Sequence, residues 1–132
     1  MDIMVIVYAI LAYLIGSIPS GLIIGKTFFN TDVRQYGSKN IGATNTYRVI
    51  GLKAALPVFL CDALKGAAGV VLLSSYGPMY MILGGIFAMM GHNWSIFLGF
   101  KGGRGVATGL GVLIALSPLV ALIAFLVWGV IV

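Results

Sequence analysis

Charge is scarce in this chain. Asp and Glu together account for 3 of the 132 residues and Lys and Arg for 8, whereas 61% of the residues are hydrophobic. A soluble domain carries about 25% charged residues, against 8% here. This composition argues against an ordinary soluble domain. It predicts an all-α membrane protein, a polytopic helical bundle, because a helix satisfies its own backbone hydrogen bonds in lipid.

Residues that bind metals or act as covalent nucleophiles are also few. The one cysteine, Cys61, excludes an intrachain disulfide, and its apolar surroundings disfavour the reactive thiolate. The one histidine, His92, has no Cys, His or Glu partner at a metal-ligand spacing. No Gly-x-Ser-x-Gly motif occurs. We therefore expect no metal, no cofactor and no covalent enzyme intermediate, so group transfer would depend on positioned substrates and cationic groups.

Uncharged runs divide the chain into four predicted membrane spans. The 23 residues between Asp2 and Lys26 exceed the length of about 20 that a transmembrane helix needs. A turn at Ser75-Tyr76-Gly77-Pro78 separates the second span from the third. We expect spans at 3–25, 54–75, 79–98 and 106–132, with loops at 26–53 and 99–105. Because an apolar segment runs to the last residue, we expect further spans in a complete protein.

The basic residues predict the orientation. Loop 26–53 holds five of them and loop 99–105 holds two, whereas the N-terminus and the turn near Ser75 hold none. Lys and Arg are enriched in cytoplasmic loops. We therefore expect the N-terminus outside the membrane and both loops in the cytoplasm.

Both loops contain a glycine-rich segment, at 37–45 and at 101–108. Glycines let backbone N–H groups converge, and with cationic and hydroxyl side chains they form a cradle for phosphate oxygens. The formal net charge of +5 has simpler readings, of which attraction to anionic lipid is stronger than nucleic-acid binding. These simpler interpretations explain any single Lys as well as phosphate binding does. They do not explain the neighbouring Gly, Asn and Thr residues.

The segment Gly21-Leu22-Ile23-Ile24-Gly25-Lys26-Thr27 is one residue short of a nucleotide-binding P-loop and lacks its strand-loop-helix context. We interpret Gly21 and Gly25 instead as a small-residue face that lets this helix approach a neighbour.

Three ionisable residues lie in or beside the predicted spans. Asp62 and Lys65 are three residues apart, so they can pair on one helix face. A role near a phosphate site is an equally good account of the pair. His92 ends the third span in Gly91-His92-Asn93-Trp94, where interfacial hydrogen bonding is favoured over a substrate contact.

Five segments occur in order between positions 16 and 108. They are Gly16-Ser17-Ile18-Pro19-Ser20, Asp32-Val33-Arg34 with 37–45, Asp62-x-x-Lys65-Gly66, Gly91-His92-Asn93-Trp94, and 100–108. Together they resemble the bacterial integral-membrane glycerol-3-phosphate acyltransferases that use acyl phosphate. The ordered set is far more specific than either glycine-rich segment alone.

The resemblance implies acyl transfer from acyl phosphate to the 1-hydroxyl of glycerol 3-phosphate, giving lysophosphatidic acid, in the inner membrane of a bacterial cell. The partners it implies are these two substrates and membrane lipids, without nucleic acid. It also implies that no protein base is needed, because the phosphate of glycerol 3-phosphate assists deprotonation.

The same resemblance assigns site residues in both glycine-rich segments, with Asp62, Lys65 and His92 as support. The implied catalytic residues are Ser38, Arg48, Lys101 and Arg104. The implied phosphate-binding residues are Gly37, Asn40, Gly42, Ala43, Thr44, Asn45, Gly102, Gly103, Gly105 and Thr108.

The chain departs from the family pattern in two places. Arg104 stands where the family usually has Lys, which keeps the charge but changes the contact geometry with phosphate. The family's third motif, with Arg, His and Asn, does not occur before Val132, so we expect part of the active site outside this chain. The alternative function is a small transporter or lipid-binding component, which Asp62 and Lys65 would serve near the bilayer midplane.

Overall fold

The computed structural model describes residues 2–131 and is mainly helical, with no named strand in that range. Three short 3-10 turns, Val33–Gln35, Ser74–Tyr76 and Ile96–Leu98, lie between the helices. The α-helices are α1 (Ile3–Ser17), α2 (Ser20–Phe29), α3 (Ala43–Val49), α4 (Leu52–Leu72), α5 (Pro78–Asn93), α6 (Val106–Leu116) and α7 (Pro118–Ile131).

The first predicted span is broken rather than continuous. Ile18 adopts an extended conformation, and α1 and α2 meet there at 41°. Pro19 is the cause, because its ring disfavours helical geometry in the residue before it and it has no N–H to donate. The helix then continues to Phe29, past the predicted end at residue 25, and Asn30 ends it in the left-handed conformation with φ 52°.

The fourth predicted span is also two helices. Ser117 is extended, with φ −161° and ψ 105°, and α7 begins at Pro118. The physical reason is again the restriction that a proline imposes on the preceding residue. The third predicted span, 79–98, is helical only as far as Asn93 and is followed by a bend and a 3-10 turn.

One helical stretch of the described chain, Leu52–Tyr76, is by itself long and apolar enough to cross a membrane, with a mean hydropathy of 1.8. The bent pair α1 and α2 passes the same test when taken together, whereas α6 and α7 are shorter apolar helices. By length and composition, one helical stretch could cross a membrane, or two if the bent pair counts as one span. The count of four spans stays a prediction, and the structure shows that breaks at Ile18 and Ser117 divide two of them and that α5 ends at Asn93 within a third.

Small residues allow the helices to pack closely. A Cβ added at Gly16 would overlap the carbonyl of Ala88, and one added at Gly111 would overlap the carbonyl of Ala63. These contacts join α1 to α5 and α4 to α6. Gly21 differs from the prediction: its neighbour is the carbonyl of Ile41 in the first loop, not another helix. Gly16 and Gly111 therefore allow two helices to pack closely, whereas Gly21 allows the first loop to pack against α2.

The N-terminus and the turn between α4 and α5 lie at the same end of the bundle. The Tyr76 hydroxyl donates a hydrogen bond to Asp2 Oδ2 at 3.4 Å, and its ring lies 6.3 Å from that of Tyr8. The two glycine-rich loops meet away from this end, where they line one cavity.

Candidate functional site

The first glycine-rich loop is built around the side chain of Asn45. Asn45 is 2% exposed, and its amide nitrogen donates to the carbonyls of Val33, Tyr36 and Asn40 at 3.0, 3.2 and 2.8 Å. Its amide oxygen accepts from the Ser38 N–H at 3.0 Å. These bonds give Asn45 a structural role in the loop, and the phosphate-binding role that the resemblance to the family implies for it stays a prediction.

Gly37 meets a steric requirement of the same loop. Its φ is +57°, a conformation that a Cβ disfavours. A Cβ there would also overlap Asn45 Oδ1. Gly37 therefore permits the contact between Asn45 and the loop, and it does not itself line the cavity.

Asp32 and Arg34 stabilise the start of this loop outside the cavity. The Asp32 carboxylate accepts from the Arg34 backbone N–H at 2.9 Å and from the Arg34 guanidinium at 3.1 and 2.9 Å. These hydrogen bonds hold the pKa of Asp32 below its usual range. The pair closes the Val33–Gln35 turn and holds the Arg34 guanidinium against a carboxylate outside the cavity lining.

The second glycine-rich loop is held against the end of α5. The Ser95 N–H donates to the Lys101 carbonyl at 3.1 Å, and the Gly103 N–H donates to the His92 carbonyl at 3.1 Å. A Cβ at Gly102 would overlap the His92 carbonyl. Gly102 and Gly103 are thus required for backbone packing, which brings the following residue, Arg104, to the cavity.

A polar cavity of about 290 Å³ lies between the two loops. Most of its walls are residues predicted for the site, together with four apolar or aromatic ones. The lining residues are Ser38, Asn40, Gly42, Ala43, Thr44, Asn45, Arg48, Phe59, Asp62, His92, Arg104, Gly105, Val106, Ala107 and Trp128.

The cavity has a cationic wall. Arg48 from α3 and Arg104 from the second loop both line it, and neither forms a salt bridge with another described residue. The carboxylate in the lining is Asp62, which lies 3.0 Å from Lys65 Nζ. The free arginines can therefore bind an anion.

The start of α6 adds backbone donors. Gly105 precedes the helix with φ +85° and makes no side-chain cap, and Val106 and Ala107 of the first turn line the cavity. The first N–H groups of a helix have no partner within it. Together with the helix dipole they favour a bound phosphate or carboxylate.

Six of the residues predicted for the site or as its support lie outside the cavity lining: Gly37, Lys65, Lys101, Gly102, Gly103 and Thr108. Lys101 is exposed, and its backbone pairs with Ser95; its catalytic role stays a prediction. Thr108 is fully buried, with its carbonyl against Gly66. The structure thus assigns packing roles to residues whose types suggested ligand contacts.

The predicted support residues are brought together. Asp62 and Lys65 form the expected pair, and Lys65 Nζ also donates to the Ile18 carbonyl at 2.9 Å. His92 Nδ1 lies 3.8 Å from Asp62 Oδ1. The described residues contain no group of three or more His, Cys, Asp or Glu side chains that could hold a metal ion.

An apolar groove of about 550 Å³ adjoins the polar cavity. Phe59, Arg104, Gly105, Val106 and Trp128 line both spaces. Beyond them the groove is walled by α6 and α7 and by Met89. The site therefore combines a cationic chamber with an apolar extension.

Sequence reasoning missed the aromatic residues where the two spaces meet. Phe59 precedes Asp62 by three residues, so helical spacing alone could have placed it on the same face. Trp128 comes from α7, far along the chain, and no local pattern indicated its position.

Comparison with protein families agrees with this architecture. Residues 6–132 match the family described as glycerol-3-phosphate acyltransferase. Glycerol-3-phosphate acyltransferase 2 of Moorella thermoacetica is 50% identical over 120 residues, which cover 90% of this chain and 62% of the relative. Glycerol-3-phosphate acyltransferase of Lactiplantibacillus plantarum is 53% identical over 114 residues, covering 84% and 55%. The chain thus spans less than two thirds of the length of either relative.

The structure is also similar to crystal structures of PlsY (YgiH), an integral membrane glycerol 3-phosphate acyltransferase. The glycerol 3-phosphate form superposes with a TM-score of 0.89 at 44% identity, covering 96% of this chain and 64% of that one. The lysophosphatidic acid form gives a TM-score of 0.84 at 42% identity, covering 94% and 62%. The protein is a helical membrane protein, and it belongs to the glycerol-3-phosphate acyltransferase family.

Proposed function

We propose that the protein transfers a fatty acyl group from acyl phosphate to the 1-hydroxyl of glycerol 3-phosphate, giving lysophosphatidic acid and phosphate. The observation that carries this proposal is the meeting of Arg48 and Arg104, one from each glycine-rich loop, in a single cavity without a carboxylate partner among the described residues. Two phosphorylated substrates require such a cationic chamber.

The apolar groove supports a lipid substrate. It opens beside Arg104 and is lined by residues such as Leu110, Leu113 and Phe125. An acyl chain in this groove would bring its phosphate end to the cationic cavity. Glycerol 3-phosphate, which has no apolar part, would occupy the polar cavity alone. The two adjoining spaces therefore match the two substrates in polarity.

The proposed reaction is a direct acyl transfer. The 1-hydroxyl oxygen of glycerol 3-phosphate bonds to the acyl carbonyl carbon while the bond from that carbon to the phosphate oxygen breaks. Phosphate leaves with the bonding electron pair, and the hydroxyl proton passes to a phosphate oxygen. Arg48, Arg104 and the first N–H groups of α6 would stabilise the negative charge that develops.

We further propose that the cavity faces the cytoplasm of a bacterial cell whose inner membrane holds the protein. The distribution of Lys and Arg between the loops supports this orientation. The proposed transporter alternative receives less support, because Asp62 and Lys65 pair with each other inside the packed bundle.

The activity is tested with membranes from cells that express the complete gene product containing this chain, with the further spans expected above. Labelled glycerol 3-phosphate is supplied with palmitoyl phosphate, palmitoyl-coenzyme A or no acyl donor, and labelled lysophosphatidic acid is measured. We expect labelled lysophosphatidic acid only in the sample that contains palmitoyl phosphate. Membranes containing the Arg48→Ala variant serve as the matched control, and equal product from the thioester would contradict the proposed donor.

A further inference from the structure

Three buried polar side chains adjoin the cavity: Asp62 and Lys65 of α4 and His92 of α5, together named the Asp62 cluster. They are 2%, 5% and 3% exposed, respectively. Burying charged groups is costly unless they are paired and hydrogen-bonded. Pairing accounts for Asp62 and Lys65. It does not account for His92, which lies on another helix at the edge of the second glycine-rich loop.

One side of the Asp62 cluster holds the break between α1 and α2. Lys65 Nζ donates to the Ile18 carbonyl at 2.9 Å, which is the residue at the break itself. Beside it, the Ser95 hydroxyl donates to the Ser17 carbonyl. The break is thus bound both to α4 and to the segment that follows α5.

The other side of the Asp62 cluster contacts the second glycine-rich loop. His92 Nδ1 faces Asp62 Oδ1 at 3.8 Å, and a Cβ added at Gly103 would overlap His92 Nε2. The ring therefore lies between the Asp62 carboxylate and the residue that precedes Arg104. Backbone bonding reinforces this contact, since the His92 carbonyl accepts from the Gly103 N–H at 3.1 Å.

The first loop is tied to the same break through α2. Gly21, in the first turn of α2, packs against the Ile41 carbonyl of that loop. A continuous set of contacts thus runs from the first loop through the break and the Asp62 cluster to Gly103.

We infer that the Asp62 cluster is a positioning device that holds the second loop, and with it Arg104, at a set distance from Arg48. If the Asp62–Lys65 ion pair only stabilised α4, a substitution at His92 would leave the distance between the two loops unchanged. Only the kinetic consequence of this inference rests on the proposed function.

Loop geometry is tested by the distance between spin labels in the full chain. Labels are placed at Tyr47 on α3 and Lys101 in the second loop, both exposed, with Cys61 replaced by Ala. We expect one narrow distance distribution, which His92→Ala broadens. The matched control is Leu64→Ala on α4, where the side chain is 67% exposed and the distribution should stay narrow.

Steady-state kinetics of unlabelled protein provide the second measurement. Because misplacing a substrate by about 1 Å can cost a hundredfold in rate, His92→Ala should lower kcat/KM by about a hundredfold. The KM for glycerol 3-phosphate should rise. Loss of folded enzyme would instead lower the apparent kcat and leave KM unchanged. His92→Gln, which can still reach Gly103, should recover the narrow distribution and most of the activity.

An unchanged distance distribution together with an unchanged KM in His92→Ala would overturn the inference. If His92→Ala is not monodisperse, His92→Leu replaces it, because Leu fills the ring's space while removing both nitrogen atoms. If the unsubstituted protein shows no acyl transfer, the proposed function fails. The distance measurement still decides the role of the Asp62 cluster in that case.

Discussion

The amide oxygen of Asn45 accepts a hydrogen bond from the backbone N–H of Ser38 at 3.0 Å. The amide nitrogen of the same side chain donates to three carbonyls of the loop that precedes it. One buried side chain thus satisfies four backbone groups, which replaces the hydrogen bonds that an irregular loop would otherwise make with water. The position of Ser38 in the cavity depends on this arrangement.

Asn45→Ala should therefore lower the thermal stability of the protein and raise the KM for glycerol 3-phosphate. Leaving a buried backbone group unsatisfied costs about 1–3 kcal/mol, and this substitution removes several partners at once. The measurement is a melting curve in detergent beside substrate kinetics. Gln35→Ala, an exposed change in the same loop, is the control and should alter neither value. Equal melting temperatures for the two variants would contradict the role of Asn45.

Arg48→Ala and Arg104→Ala should each reduce turnover by about a hundredfold or more, the scale for losing one strong transition-state donor. Arg104→Lys should have a mild effect, because it keeps the positive charge at this position. The control is Arg34→Ala, since the Arg34 guanidinium is bound to Asp32 outside the cavity. Near-normal turnover in both cavity variants would refute the cationic chamber as the reaction site.

The membrane orientation predicts which exposed positions a membrane-impermeant thiol reagent can reach. In a Cys61→Ala background, single cysteines at Lys39 and Lys101 should react only after the inner face is opened, because both loops are predicted to be cytoplasmic. A cysteine at Ser75 should react in intact cells. Leu64→Cys, on the apolar face of α4, is the control and should react in neither sample. Labelling of Lys101→Cys in intact cells would reverse the proposed orientation.

Two glycines of α6 should differ in their tolerance of a methyl group. Gly111→Ala should destabilise the protein, because the new Cβ overlaps the Ala63 carbonyl and overpacking typically costs about 1–3 kcal/mol. Gly109→Ala should be tolerated, since its nearest neighbour is Met89 Cε at 3.5 Å. Unfolding by heat in the same detergent compares the two variants directly. A larger loss of stability for Gly109→Ala would be inconsistent with the packing of α4 against α6.

A larger side chain at Gly109 should change the preferred acyl length, because Gly109 lines the apolar groove. Gly109→Leu should shift the ratio of kcat/KM toward shorter acyl phosphates by about tenfold, as the loss of space for one or two methylenes in an apolar pocket does. Competition between octanoyl and palmitoyl phosphate measures this ratio. Gly129→Leu is the matched control, since a Cβ there meets no other atom. An unchanged ratio in Gly109→Leu would place the acyl chain elsewhere.

Several features of this protein follow from its sequence alone. The low charge and the long apolar runs determine an all-α membrane protein, because lipid leaves the backbone no partners outside a helix. The two glycine-rich segments indicate where a phosphate would bind, since they combine glycines with cationic and hydroxyl side chains. The ordered motifs also identify the family, which the comparisons confirm. These properties depend on local composition and order along the chain.

Contacts between distant residues were decided by the tertiary structure. Lys65 donates to the Ile18 carbonyl 47 positions away, and no local pattern can predict such a partner. Asn45 and Thr108 have the side chains of phosphate ligands, yet packing directs the first into the loop and buries the second. The junction of the cavity with the apolar groove requires Phe59 and Trp128 to meet across helices. Composition determines which groups are available, whereas close packing determines which of them remain free to bind a ligand.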